Sequence, residues 1–348
     1  VDSLTQAVLG ATVQTALLGR WQGRRAILYG AALGTLPDLD VVIDYGNAVN
    51  EMTYHRGFSH SLFVLTGVAL LLTWLCGRWR DPGYSQRRLF LTLWLVLITH
   101  PLLDAFTTYG TQLFWPLPST PVAWSSVFII DPLYTLPLLL AVLVGLMAGP
   151  RGRSPRLAVA ALALSTDYLG WTLVAKYSAE RQVREVLATQ GQADARLFSA
   201  PLPFTSLLWR VMVDDGPERY RETWVGLFDD RPPQLVPLPR GGELAPILAD
   251  SPAEQRLRWF TDDWLRYDRL GNDLVVTDLR LGATGYHSFR FVLAQRDTSG
   301  WRLVAEPSLW PRERGGREQL AVVWRRLWHP ELPAPVAEWA ARLSRLPD

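Results

Sequence analysis

Residues 1–178 predict a polytopic α-helical membrane domain of about five to six helices, and residues 179–348 predict a small α+β domain. Three observations carry this reading. Apolar runs near bilayer length crowd the first half, arginines recur in every second connection between them, and beyond about residue 178 the runs shorten, alternate and carry most of the charge. A chain of 348 residues is long enough for two domains.

The apolar segments run over 4–19, 26–43, 61–76, 89–106, 132–149 and 157–176, against the roughly 17 to 25 residues that span a bilayer. The first two are weak, being short and rich in Gly, Ala and Thr. Arg20, Arg24 and Arg25 follow the first segment; Arg78, Arg80, Arg87 and Arg88 follow the third; Arg151, Arg153 and Arg156 follow the fifth. The positive-inside rule makes those loops cytoplasmic. Connections 44–60 and 107–130 contain Arg56 as their only arginine or lysine and face the other side. Six crossings then place the N-terminus and the C-terminal domain outside the cytoplasm. If segment 4–19 is re-entrant or interfacial, only the N-terminus moves.

Val1-Asp2-Ser3 offers no basic start, so a cleavable signal peptide is not expected. The single cysteine, Cys76, excludes an intrachain disulfide. The net charge of +2 has its excess in the membrane loops, which points to topology and anionic membrane lipids, with no nucleic-acid partner.

In the second half, 207–213, 220–228, 273–281, 288–295 and 301–305 are rich in aromatic and branched residues and read as antiparallel strands. Stretches 253–270, 317–328 and 334–345 read as helices over one small sheet. Segments 201–203 and 231–239 read as connectors. His287 and His329 stand apart from any ligand spacing and read as packed or surface side chains.

Five polar clusters fall at one end of the apolar segments: Thr5-Gln6, Pro37-Asp38-Leu39-Asp40, His55 to His60, His100 with Asp104, and Asp131. An ionisable group in a membrane helix costs roughly 2.5 to 3.5 kcal/mol at its centre, so such groups usually serve a function. Singly, each has a plain structural reading. Asp38 and Asp40 could end a helix, His55 and His60 could be interfacial, and His100 and Asp104, four apart on one helical face, could be a structural pair. Together they meet at one membrane face.

Mixed His and Asp ligands suit zinc, manganese or iron better than calcium or magnesium. Asp38, Asp40, His55, His60, His100, Asp104 and Asp131 are the candidate ligands for one or two divalent transition-metal ions. Gln6, Ser59 and Thr99 are candidates to orient them. Arg56 suits a phosphate oxygen or, alternatively, a salt bridge to Asp44 or Glu51. With Asp38 and Asp131 it forms the candidate catalytic set.

The runs Asp2-Ser3-Leu4-Thr5-Gln6-Ala7-Val8-Leu9-Gly10, Gly34-Thr35-Leu36-Pro37-Asp38-Leu39-Asp40, His55-Arg56-Gly57-Phe58-Ser59-His60-Ser61 and Thr99-His100-Pro101-Leu102-Leu103-Asp104 resemble the YdjM family of membrane-bound, metal-dependent hydrolases. The likeness covers about the first 150 residues; Thr277 to Gly282 resembles the longer members less distinctively. It implies a bacterial inner-membrane protein whose ligand pattern is distantly similar to zinc-dependent phospholipase C. Many members carry a histidine after the early threonine, where this chain has Gln6.

The expected chemistry is hydrolysis of a phosphoester, phospholipid-like or otherwise lipid-linked, at the outer membrane face by metal-activated water. The sequence contains no His-Glu-x-x-His, no Gly-x-Ser-x-Gly and no phosphate-binding Gly-rich loop. A transporter would place such residues near the midplane, often in two repeated halves. An interaction or scaffold protein would keep the metal structural, in a closed site. The C-terminal domain is expected to cap the site.

Overall fold

The apolar segments of the first half fold as helices in a computed structural model that describes residues 1–78, 83–149, 154–311 and 315–346. Arg80, Arg151 and Arg153 of the basic-loop pattern lie outside the described residues. The chain forms two compact units. One comprises Val1–Asp44 and Tyr54–Thr172, the other Tyr45–Thr53 and Leu173–Asp348.

In the first unit, α1 (Ser3–Gln22) starts at an Asp2 cap and is followed by α2 (Arg25–Thr35). A Cβ at Gly10 would come within 2.2 Å of the Gly30 carbonyl oxygen, so glycine lets the two backbones touch. The Gly and Ala content that weakens these segments as apolar runs is therefore what lets them pair. Pro37 cannot continue α2, and the chain tightens into a 3-10 turn over Leu36–Val42. After α3 (Ala48–Tyr54), Ser61 caps α4 (Leu62–Gly77), Ser85 caps α5 (Gln86–Ala105) and Asp131 caps α6 (Pro132–Ala148). Val8, Val13, Ile27, Val96, Leu103 and Leu138 form a shared core. The long α7 (Ser154–Thr189) begins in this unit and ends in the other.

Among the described residues, α5 and α7 are long and apolar enough to cross a membrane, and a third span results if Ala48–His60 and Leu62–Gly77, bent by 46°, count as one. Helix α6 is apolar but shorter.

The second unit departs from the one-sheet expectation. Strands β1 (Leu197–Pro201), β2 (Leu208–Asp214), β3 (Arg219–Gly226) and β4 (Val236–Pro239) form one antiparallel sheet in that order. After α8 (Pro252–Thr261) come β5 (Leu265–Leu270), β6 (Asp273–Asp278), the short pair β7 (Gly282–Ala283) and β8 (Tyr286–His287), then β9 (Arg290–Asp297) and β10 (Gly300–Leu309). The second sheet has the order β10-β9-β6-β5. Helices α9 (Arg317–Trp328) and α10 (Val336–Ala340) follow, with a 3-10 turn over Ala341–Ser344 completing the stretch read as a helix over 334–345.

The helix expected over 253–270 stops at Thr261, because Asp262 and Asp263 take left-handed backbone angles of 51° and 59°. The remainder becomes β5, in which Arg266 pairs with Asp268 at 2.7 Å and Arg269 stays exposed. Strand β4, in the stretch read as a connector, carries two prolines and lies at a sheet edge, the place a sheet tolerates them. Alternation along β2 divides the core. Trp209, Val211 and Val213 meet Val183 and Leu187 of α7, whereas Leu208 and Met212 join Val323, Leu327 and Trp339.

Candidate metal centre

The site is built from three segments of the first unit, the 3-10 turn after α2, the turn ending at His60 and the last part of α5. The 3-10 turn after α2 turns about a third of a circle per residue, so Asp38 and Asp40, two apart, cannot point the same way. Asp38 faces His60 and His100, with its Oδ1 at 3.4 and 3.3 Å from their Nε2 atoms. Asp40 instead accepts from the Arg56 amide at 3.1 Å and from Ser59 Oγ at 2.7 Å, and its Oδ1 lies 2.9 Å from His55 Nδ1. Arg56 takes a left-handed φ of 61°, and the chain then closes a 3-10 turn over Phe58–His60. His100 and Asp104 share one face of α5, as their spacing predicts.

Asp38, His60, His100 and Asp104 each direct one donor atom to a common place, all within 4.8 Å of one another. His60 Nε2 and His100 Nε2 are 3.2 Å apart, and Asp104 Oδ2 lies 3.2 and 3.4 Å from them. The far sides of the rings fix what these atoms are. His100 Nδ1 lies 2.6 Å from the Gly34 carbonyl oxygen, which can only accept, so Nδ1 carries a proton. Ser59 gives its own proton to Asp40 and therefore accepts from His60 Nδ1 at 2.9 Å. In the neutral rings both Nε2 atoms are then bare lone pairs facing each other and two carboxylates.

Such convergence of acceptors needs a cation among them. Charge-assisted hydrogen bonds favour about 2.7 to 2.9 Å, shorter than the five contacts of 3.2 to 3.4 Å. A tetrahedron with metal-to-ligand bonds of about 2.0 to 2.1 Å has edges of about 3.3 to 3.4 Å. Asp104 Oδ2 is also buried without a hydrogen-bond donor. The four residues thus fit a divalent metal ion.

The surrounding side chains hold the donors in place. Asp104 Oδ1 receives Gln6 Nε2 at 3.2 Å, lies 3.3 Å from Arg56 Nη2 and meets the Val1 nitrogen. Arg56 also donates to Thr107 Oγ1 and lies over the Tyr109 ring at 4.8 Å. Arg56 forms an ion pair with Asp104, a partner the sequence reading did not name. Thr99, named as an orienting residue, donates within its own helix to Leu95 O at 2.7 Å. Asp131 caps α6 through the Leu133 and Tyr134 amides and accepts from Tyr168 Oη at 2.8 Å. The seven sequence candidates therefore divide into a cluster of four, an adjoining Asp40–His55 pair and a helix cap. Thr107 and the Gly34 carbonyl had no signal in sequence, since Thr107 meets Arg56 only through the fold and a backbone acceptor looks alike everywhere.

The Asp38 side chain is 22% exposed, while those of His60, His100 and Asp104 are 0 to 1% exposed. Access to the cluster is therefore past Asp38. His55, 24% exposed, stands with its ring centroid 5.9 Å from that of His60.

A family model described as YdjM inner membrane protein matches residues 1–179. Inner membrane protein YbcI of Escherichia coli (strain K12) is 39% identical over 95 residues, 27% of this chain and 54% of that protein. The chain thus spans about half the length of that relative. Uncharacterized protein YfhP of Bacillus subtilis (strain 168) is 25% identical over 273 residues, 73% of this chain and 76% of that protein. No solved structure matches the chain.

Proposed function

The chain belongs to the YdjM inner membrane protein family, and from that premise we propose that it is a metal-dependent hydrolase cleaving a phosphoester of a lipid-linked substrate. The observation that supports this best is the convergence of the His60 and His100 Nε2 atoms with an orphaned Asp104 oxygen beside a partly exposed Asp38. Asp38, His60, His100 and Asp104 would hold the ion, with zinc the first expectation and manganese or iron the alternatives. A bound ion of this kind lowers the pKa of water to about 7 and polarises a phosphoryl oxygen.

The chain's own residues supply the rest. Gly34 and Ser59 fix the tautomers of His100 and His60, so both rings present Nε2 without a proton transfer. Arg56 and Gln6 hold Asp104 by its Oδ1 and leave Oδ2 for the cluster. His55 is oriented by Asp40 through Nδ1, the arrangement by which a carboxylate holds an imidazole as a proton acceptor. Its Nε2 can then take a proton from water or return one to the leaving oxygen. The substrate enters past Asp38, the most exposed of the four.

The arginine pattern supports a multi-pass topology with the cluster and the C-terminal unit outside the cytoplasm. The test combines metal analysis of the purified chain with a hydrolysis screen of phospholipid and other phosphoesters before and after chelation. Metal near one per chain and turnover that chelation abolishes and metal restores would support the reading. Full metal with no turnover would leave a closed structural site, and the hydrolase assignment would fall.

A further inference from the structure

A second feature of the first unit lies away from the metal cluster. A cavity of about 1340 Å³ opens between α1, α2, α4 and α5. On α5 the lining residue Leu93 precedes His100 by about 10 Å of helix rise, and on α1, α4 and α5 the lining lies in the arginine-loop half, while Tyr29, Ala32 and Leu33 carry it along α2 toward Gly34. Leu33, Leu72, Leu89 and Leu93 make its wall largely apolar. Its volume exceeds the roughly 300 to 1,000 Å³ of ordinary small-molecule pockets.

Polar groups lead in from the mouth. Gln22 Nε2 donates to Tyr84 Oη at 3.0 Å and Gln14 Nε2 donates to Gln22 Oε1 at 2.9 Å. The Gln14 Oε1 atom lies buried without a partner. Turning both amides preserves the ladder and makes the free atom a donor, so the position accepts either a hydroxyl or an ester carbonyl. Arg78 lines the mouth, its guanidinium 5.0 Å from the Trp74 ring centre. Arg20 and Arg88 lie 4.3 and 4.6 Å from the centre of the Trp21 ring, which meets Tyr84 edge-on. Basic and aromatic side chains together mark the headgroup level of a membrane.

We propose that this cavity binds an anionic phospholipid, with its acyl chains along the leucine wall, its glycerol region at the Gln14 amide and its phosphate at Arg78. The apolar wall suits a chain rather than water, the unpaired Gln14 amide calls for a polar group among those leucines, and the positive charge of Arg78 suits an anion. The assignment stands independently of the metal chemistry.

Cys76, the only cysteine in the sequence, lines the cavity and is exposed, so it reports occupancy without mutation. Full-length protein in detergent micelles is alkylated with a maleimide in the presence of phosphatidylglycerol, phosphatidylcholine or inorganic phosphate alone. Phosphatidylglycerol should slow the reaction about fivefold or more relative to phosphatidylcholine, given its charge, while inorganic phosphate leaves it unchanged. In Arg78→Gln the two lipids should become equivalent, and native mass spectrometry should show a lipid adduct in the parent chain that Ala32→Trp, which fills the cavity, loses. Equal rates with both lipids in the parent chain would overturn the anionic headgroup. Protection by inorganic phosphate alone, or by none of the three, would overturn the lipid site.

Discussion

Both units bury charged side chains, but they resolve them in opposite ways. In the second unit three buried carboxylates each meet a buried arginine: Glu222 and Arg210 at 2.8 Å, Asp268 and Arg266 at 2.7 Å, Asp278 and Arg280 at 2.9 Å. In the first unit, Asp38, Asp104, His60 and His100 turn acceptors toward one another, and Asp104 Oδ2 has no donor. A network neutralised from within explains itself as structure. A set of acceptors short of a cation explains itself only by what it binds, because like-signed lone pairs at such distances repel.

The comparison can be broken most forcefully in the second unit. Glu222→Gln keeps the shape but leaves Arg210 buried without its counter-charge, and loss of one member of a buried pair costs about 3 to 5 kcal/mol. Thermal unfolding should show a large fall in Tm with metal content unchanged. A parallel loss of metal would mean that the two regions are not separate in their energetics.

In the first unit, His100→Ala removes a donor and should weaken metal affinity by at least about a hundredfold, near 2.7 kcal/mol, read by competition with a chromophoric chelator. Unaltered affinity would make the His100–Asp104 pair structural. Ser59→Ala should have a smaller effect, about tenfold, because it frees His60 to adopt the wrong tautomer without removing a ligand. If Ser59→Ala equals His100→Ala, Ser59 does more than orient the ring.

The smallest effect sharpens the contrast by pH. His287 has both ring nitrogens unpartnered, and burial, with Arg210, Arg290 and Arg266 nearby, holds its pKa well below the usual value. The folded state keeps it neutral while the unfolded chain protonates near pH 6.5. Its contribution is therefore complete above about pH 6.5 and is lost as pH falls toward the folded value, by at most about 1.4 kcal/mol per unit. Denaturant titrations should show a shallower acid slope in His287→Gln than in the parent chain. Identical slopes would place the acid sensitivity elsewhere.

Much of the site was legible before the fold. The i, i+4 spacing of His100 and Asp104 survives as a shared face because helix geometry is local, and the aspartates after Pro37 lie where proline stops α2. The division between Asp38 and Asp40 was not legible, since it depends on a 3-10 turn that separates neighbours two apart. Asp131 looked like a ligand by residue type and position; its contacts are those of a helix cap, a role open to the same side chain. In the second unit, β5 was hidden in a helical-looking stretch because two of its buried charges, Arg266 and Asp268, are neutralised by pairing within the strand, and the break at Asp262 and Asp263 rests on backbone angles that composition does not specify.

Sequence by itself determined the apolar helices of the first half, the strand-rich second half and the residues capable of holding a metal, because periodicity, proline and side-chain chemistry act over a few residues. Only the tertiary structure decided which four of those residues converge, which tautomers they present and which buried charges are already neutralised. Those outcomes depend on partners far apart in the chain, such as Gly34 with His100 and Gln6 with Asp104, whose meeting is fixed by the packing of whole helices.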